Sequence, residues 1–181
     1  MMGLLNEVVA HKGPITVVVD IGGGQDQQMV EFVSTLDVAR FAERRGIQMV
    51  PVYALGPNED DLDHAIAVRE AGPFGKSQAI LVMNEALVRR GRQPMTAFAA
   101  VTGHPDFRAW VVEKGARPVF MLSLGCMELL RGLGLSFNDA LQGKAGEGGA
   151  VLGPAEAFMV EDWMDEMEAR HRNADTLDLL P

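Results

Sequence analysis

The sequence predicts an α/β domain: three layers, a mostly parallel sheet of about four strands with helices on both faces, and a C-terminal amphipathic helix after it. Two patterns and one bulk property carry that expectation. Short apolar, β-branched runs alternate with stretches of helical periodicity, and the connections between them are short. Repetition of that kind implies parallel strands joined by right-handed crossovers. The 181 residues are 48% hydrophobic and 23% charged, which is enough to bury a sizeable core.

The first expected strand is Ile15-Thr-Val-Val-Val-Asp20, an apolar run leading into Ile-Gly-Gly-Gly. Residues 27–45 follow with Met29, Val30, Phe32, Val33, Leu36 and Phe41 at helical spacing, and Gly46 stands where a helix end favours a left-handed residue. Residues 47–55 form a second strand interrupted by Pro51, which places that strand at an edge or in a bulge. Asn58 caps a helix whose first turn carries Glu59, Asp60 and Asp61, with Leu62, Ala65, Ile66 and Val68 facing inward. Residues 79–83 are the third strand, stopped by Asn84. A short helix over 106–114 turns Phe107, Trp110 and Val111 inward. Residues 118–122 are the fourth strand; a helix starts at Cys126, and Ser136 caps another through Leu141.

Five glycines between 143 and 153 mark a flexible linker. The expected organisation is therefore an α/β domain over 1–142, the linker over 143–153, an amphipathic helix over 154–172 and a tail over 173–181. On that last helix Val160, Trp163, Met164 and Met167 share one face and acids occupy the other, so the apolar face is a candidate partner-binding surface.

Composition also excludes functions. The formal net charge of −9 opposes general binding to a phosphate backbone, although Arg89, Arg90 and Arg92 form a local basic cluster. A single cysteine, Cys126, rules out an intramolecular disulfide framework and points to a reducing compartment. No apolar run approaches the roughly 20 residues that span a bilayer, and the first ten residues lack the basic start of a signal peptide. A cytoplasmic protein is expected. No His has a second His or a Cys at ligand spacing for zinc.

The most informative segment is Val17-Val-Val-Asp20-Ile-Gly22-Gly23-Gly24. A carboxylate at the end of a buried strand can hold a Mg²⁺-bound water, and glycines let the backbone approach a phosphate. Asp20 equally suits a strand-end group that caps a turn, and Gly22, Gly23 and Gly24 equally suit a plain loop. Actin- and Hsp70-like ATPases carry Asp-Ile-Gly-Gly-Gly-Thr before a second antiparallel strand; here Gln25 replaces the Thr and a helical pattern follows.

From Val17 to about Leu141 the chain resembles the later part of ParA/MinD-type P-loop ATPases, in particular the StbB-like plasmid stability and mobilisation proteins. Val17-Val-Val-Asp20 is similar to their Walker B strand and Gly22-Gly23-Gly24 to their switch II loop. Met49-Val-Pro-Val52 resembles the next strand, and Leu81-Val-Met-Asn84 the strand whose terminal asparagine contacts the base. The resemblance thus implies nucleotide contacts at Asp20, Gly22, Gly23, Gly24 and Asn84, with a metal reached from Asp20 through water. The family's Gly-rich Lys-Ser/Thr loop has no counterpart ahead of residue 15, because such a loop needs roughly 30 residues of strand and helix. Gly75-Lys76-Ser77 is no substitute: it leads into a strand, whereas a phosphate loop opens a helix.

The leading functional expectation is a non-hydrolysing or truncated relative of these ATPases acting through protein contacts, with a protein partner or a second copy of itself. One alternative is a nucleotide-binding subunit that takes ATP and Mg²⁺ once another chain completes it. The other is an adaptor that docks Trp163 into a groove.

Overall fold

The computed structural model describes residues 7–8, 10–13, 15–21, 31, 37–72, 74 and 77–180. Within them the order is α1 (Val38–Arg45), β1 (Val52–Leu55), α2 (Glu59–Ala71), β2 (Ile80–Asn84), α3 (Pro94–Ala97), α4 (Ala99–Gly103), α5 (Pro105–Lys114), β3 (Arg117–Met121), α6 (Met127–Leu133), α7 (Phe137–Leu141) and α8 (Pro154–Asn173). The strands form one parallel sheet in the order β1-β2-β3, with Val52 opposite Ile80 and Ile80 opposite Arg117.

Sequential order with right-handed crossovers puts α2 and the α3–α5 group on the same face. Leu55, Leu81 and Met83 pack there against Leu62, Ala65, Phe98, Val101, Phe107 and Trp110. The opposite face, Ile80 and Val119, is covered by Met167 of α8 and by Leu179. A satellite core joins α6, α7 and α8 through Leu124, Leu130, Ala140, Leu152 and Val160, and Trp163 touches both it and the sheet. The three-layer α/β architecture is therefore as expected.

Local chemistry explains most element ends. α1 stops at Gly46, in the left-handed region with φ 65°. α5 opens with Pro105 in its first turn and closes at Gly115 with φ 69°. α7 is capped as expected, Ser136 Oγ accepting from the Asp139 N–H at 3.1 Å. Asn58 takes the N-cap position of α2 but makes no side-chain cap bond. Pro51 lies just ahead of β1, and its carbonyl accepts the Ile80 N–H at 3.0 Å. Among the described residues β1 lies at an edge of the sheet, the first of the two options that Pro51 allowed.

The description corrects several expectations. Residues 15–20 are not a buried strand: they carry no strand pairing, and Val18 is 84% exposed. A β-branched run suits a pleated surface, but only a partner's ladder makes it a strand. Three strands are thus present among the described residues. The expected helix over 27–45 is described at residue 31, which is helical, and from residue 37 onward. Residues 143–153 are not a free linker: Ala145 bridges Val151 in antiparallel fashion, and Leu152 is buried. Helices α3 and α4 were not anticipated; Phe98 between them is fully buried. No described helix is long and apolar enough to cross a membrane.

Candidate functional site

Two places merit attention: the crevice at the carboxyl ends of the strands and the free edges of the sheet. In parallel α/β folds ligands collect at the former, because loops and helix N-termini converge there. A small cavity of about 280 Å³ lies at that end, lined by Pro57 and Asn58 after β1, Leu87, Arg89 and Arg92 after β2, and Ala97 of α3. Two guanidinium groups at its rim favour an anionic guest, whereas Glu59, Asp60 and Asp61 in the first turn of α2 oppose one.

Of the five residues singled out for nucleotide contacts, Asp20 and Asn84 are among those described. Asp20 is exposed and stands in no strand, so it is not the strand-end carboxylate that a Walker B role requires. Gly22, Gly23 and Gly24 lie outside the described residues. Asn84 ends β2, but its Oδ1 accepts the Ala86 N–H at 3.0 Å and closes the turn into the short 3₁₀ helix Glu85–Leu87. That is local capping. Among the described residues no group of three or more His, Cys, Asp or Glu side chains could hold a metal.

The groups whose acidity the fold shifts are structural as well. Burial pushes the Tyr53 hydroxyl up to about 12, against the opposing pull of Arg69. Burial lowers His171, which pairs with Thr176 at 2.7 Å. Hydrogen bonds from Lys144 and Ser136 hold Asp139 below the usual carboxylate range. None of these lines the crevice.

The face of α8 proposed for a partner is mostly used within the chain. Val160 is fully buried and Met167 nearly so. The Trp163 indole N–H donates to the Leu122 carbonyl at 2.9 Å, and its ring meets Phe137 at 5.0 Å. Only Met164, 38% exposed, remains at the surface. Amphipathic periodicity revealed that a face is buried, and α6, α7 and the sheet of the same chain are what bury it.

The edges of the sheet differ in a way that sequence alone did not reveal. The Arg117 N–H donates to the Ala79 carbonyl at 2.8 Å, so Arg117, Val119 and Met121 direct their backbone groups to β2, and Pro118 and Phe120 direct theirs outward. Pro118 has no N–H to offer. The Phe120 carbonyl is taken by Arg170 Nη1 at 3.2 Å, and the same guanidinium reaches Glu85 at 3.3 Å. A groove of about 480 Å³ runs along this edge beside Arg170 and Asn173.

At β1 the Pro51–Ile80 bond fixes the opposite parity: Tyr53 and Leu55 face β2, and Val52 and Ala54 face outward. Among the described residues nothing pairs with that side. Val52 is 55% exposed and Ala54 is exposed beside it.

Comparison with protein-family models, with curated proteins and with solved structures finds no match to this chain. The functional reading therefore rests on its own residues.

Proposed function

We propose that this chain acts through contacts with other proteins rather than by hydrolysing a nucleotide, as a cytoplasmic relative of the ParA/MinD-type partition and mobilisation ATPases. The observation that supports the reading most is the uncovered edge of β1, where Val52 and Ala54 present unpaired backbone groups and apolar side chains. A row of unpaired N–H and C=O groups is a template for another strand, and proteins that do not use such an edge blunt it. The parallel order β1–α2–β2, followed by α3–α5 and β3, supports the segments of the resemblance at Met49–Val52, Leu81–Asn84 and Pro118–Leu141; its Asp20 strand does not carry over. Isothermal titration of the purified chain with ATP and Mg²⁺, run beside a phosphate-release assay, tests the reading. Neither tight binding nor turnover is expected, and turnover by the isolated chain overturns it.

A second reading is favoured by Arg89 and Arg92 at the carboxyl end of the sheet: a nucleotide-binding subunit completed by another polypeptide. In a complex with that polypeptide, replacing both arginines by alanine should then weaken nucleotide binding at least tenfold. Unchanged affinity removes this reading.

A further inference from the structure

Two elements lack a pairing strand among the described residues and suit each other. One is the outer edge of β1. The other is the run Ile15-Thr-Val-Val-Val, whose Ile15, Val17, Val18 and Val19 are all exposed and which pairs with no strand. Its composition is that of a strand interior, since β-branched side chains pack well on a pleated surface. Leaving four such side chains in water forgoes hydrophobic stabilisation that a sheet would supply.

Charge narrows the choice of partner. At a net charge of −9, two copies of this chain repel one another over most of their surfaces. Residues 15–19 and all four residues of β1 carry no charge. These two segments can therefore meet across two copies without bringing like charges together. Within one copy they stand unpaired. The edge at β3, by contrast, is blunted by Pro118 and Arg170.

We infer that β1 is a docking edge for residues 15–19 of a second copy of this chain. Each copy donates its run to the other's β1 about a two-fold axis, so both sheets gain a fourth strand. The inference rests on the protein-contact reading above and names the partner. Reciprocal exchange closes on itself, so assembly stops at two copies instead of growing into a fibre. It also covers the outer side of β1 and makes the donated run, in place of β1, the edge of each sheet.

Sedimentation of the full chain at micromolar concentration tests the inference. The expected result is a dimer for the parent and a monomer for Val18→Pro, which withdraws a strand N–H at a position 84% exposed in the single chain. Far-UV circular dichroism and the unfolding midpoint of that variant's monomer should show a folded protein. Ala54→Pro, which alters the receiving edge, should also be monomeric. Hydrogen exchange on the parent needs no variant: protection of the Val18, Val52 and Ala54 amides should rise with protein concentration. A parent that stays monomeric overturns the inference, and so does protection that is independent of concentration, which would place the run on its own β1. A dimer that survives both Val18→Pro and Val19→Pro, one of which must remove an N–H facing β1, overturns it in favour of direct β1-to-β1 pairing. ATP turnover measured on the same preparations separates the two proposals: turnover removes the functional reading, whereas a monomer without turnover removes only the exchange.

Discussion

The two edges of this sheet are built from opposite materials. At β3 the outward backbone positions are Pro118, which has no donor, and Phe120, whose carbonyl is held by Arg170 from α8. The same arginine also reaches Glu85, only 12% exposed at its side chain, and Glu166 at 3.1 Å. At β1 the outward positions are Val52 and Ala54, with no proline, no charge and no covering side chain among the described residues. An edge strand ordinarily carries some device against pairing. A chain with such devices at one edge, and none among the described residues at the other, has the open edge that the proposed docking would fill.

The largest effect is expected where the blunted edge is anchored. Trp163 ties the satellite core to the sheet, and its indole N–H satisfies the Leu122 carbonyl just past β3. Trp163→Ala should cost about 3–5 kcal/mol, adding a cavity to a lost hydrogen bond. Urea unfolding followed by circular dichroism measures it; a loss below about 1 kcal/mol would mean that α8 does not hold this side of the sheet.

Next comes the cap itself. Arg170→Ala strands the Glu85 carboxylate and frees the Phe120 carbonyl, so a loss of about 2 kcal/mol is expected. Arg170→Met combined with Glu85→Gln should lose less than Arg170→Ala alone, because the carboxylate then left without its partner is the exposed one of Glu166 and no largely buried charge is stranded. If the two variants unfold at the same urea concentration, the ion pair contributes nothing and Arg170 works by packing alone.

A smaller effect sharpens the contrast on the open side. In the monomeric Val18→Pro background, the outward amides of Val52 and Ala54 should exchange rapidly while those of Tyr53 and Leu55 are protected. Ala54→Pro in that background should stay within about 1 kcal/mol of its parent, since no ladder bond is removed. Equal protection along all four residues would show that the outer side is already paired.

Much of this fold was legible beforehand, and the reasons are specific. β2 and β3 are continuous apolar runs with turn residues at their ends, α5 has proline in its first turn and glycine after its last, and α8 is long and periodic. The misplaced strand at 15–20 has the right side chains, but strand formation is a property of a pair, and one sequence does not contain the pairing. The helices α3 and α4 are too short to show a period; buried Phe98 and Val101 hold them in place. Trp163 and Met167 were recognised as an apolar face without any sign that their own sheet would cover them. Asn84 carried a nucleotide expectation, and its amide turned out to be occupied two residues away. Of the open edge of β1, only Pro51 gave a hint. Which of Val52 and Tyr53 turns its backbone outward follows from the Pro51–Ile80 hydrogen bond.

The smallest expected effect concerns the inner side of β1. The Tyr53 hydroxyl is buried without a hydrogen-bond partner, its ring edge-on to Trp110 at 5.0 Å. Removing an unsatisfied buried hydroxyl costs little, so Tyr53→Phe should be neutral or stabilising by up to about 1 kcal/mol near neutral pH. Its signature is alkaline. Burial raises the Tyr53 pKa from 10.0 to about 12, so the fold favours the neutral phenol. That contribution is complete below the unfolded value and is lost as pH rises from 10.0 towards about 12. Phenylalanine has no proton to lose, so the stability difference between Tyr53→Phe and its parent should widen in the variant's favour across that window. Urea midpoints of both proteins at a series of pH values measure the gap. A constant gap would mean that the hydroxyl reaches solvent and that the inner face of β1 is as open as its outer edge.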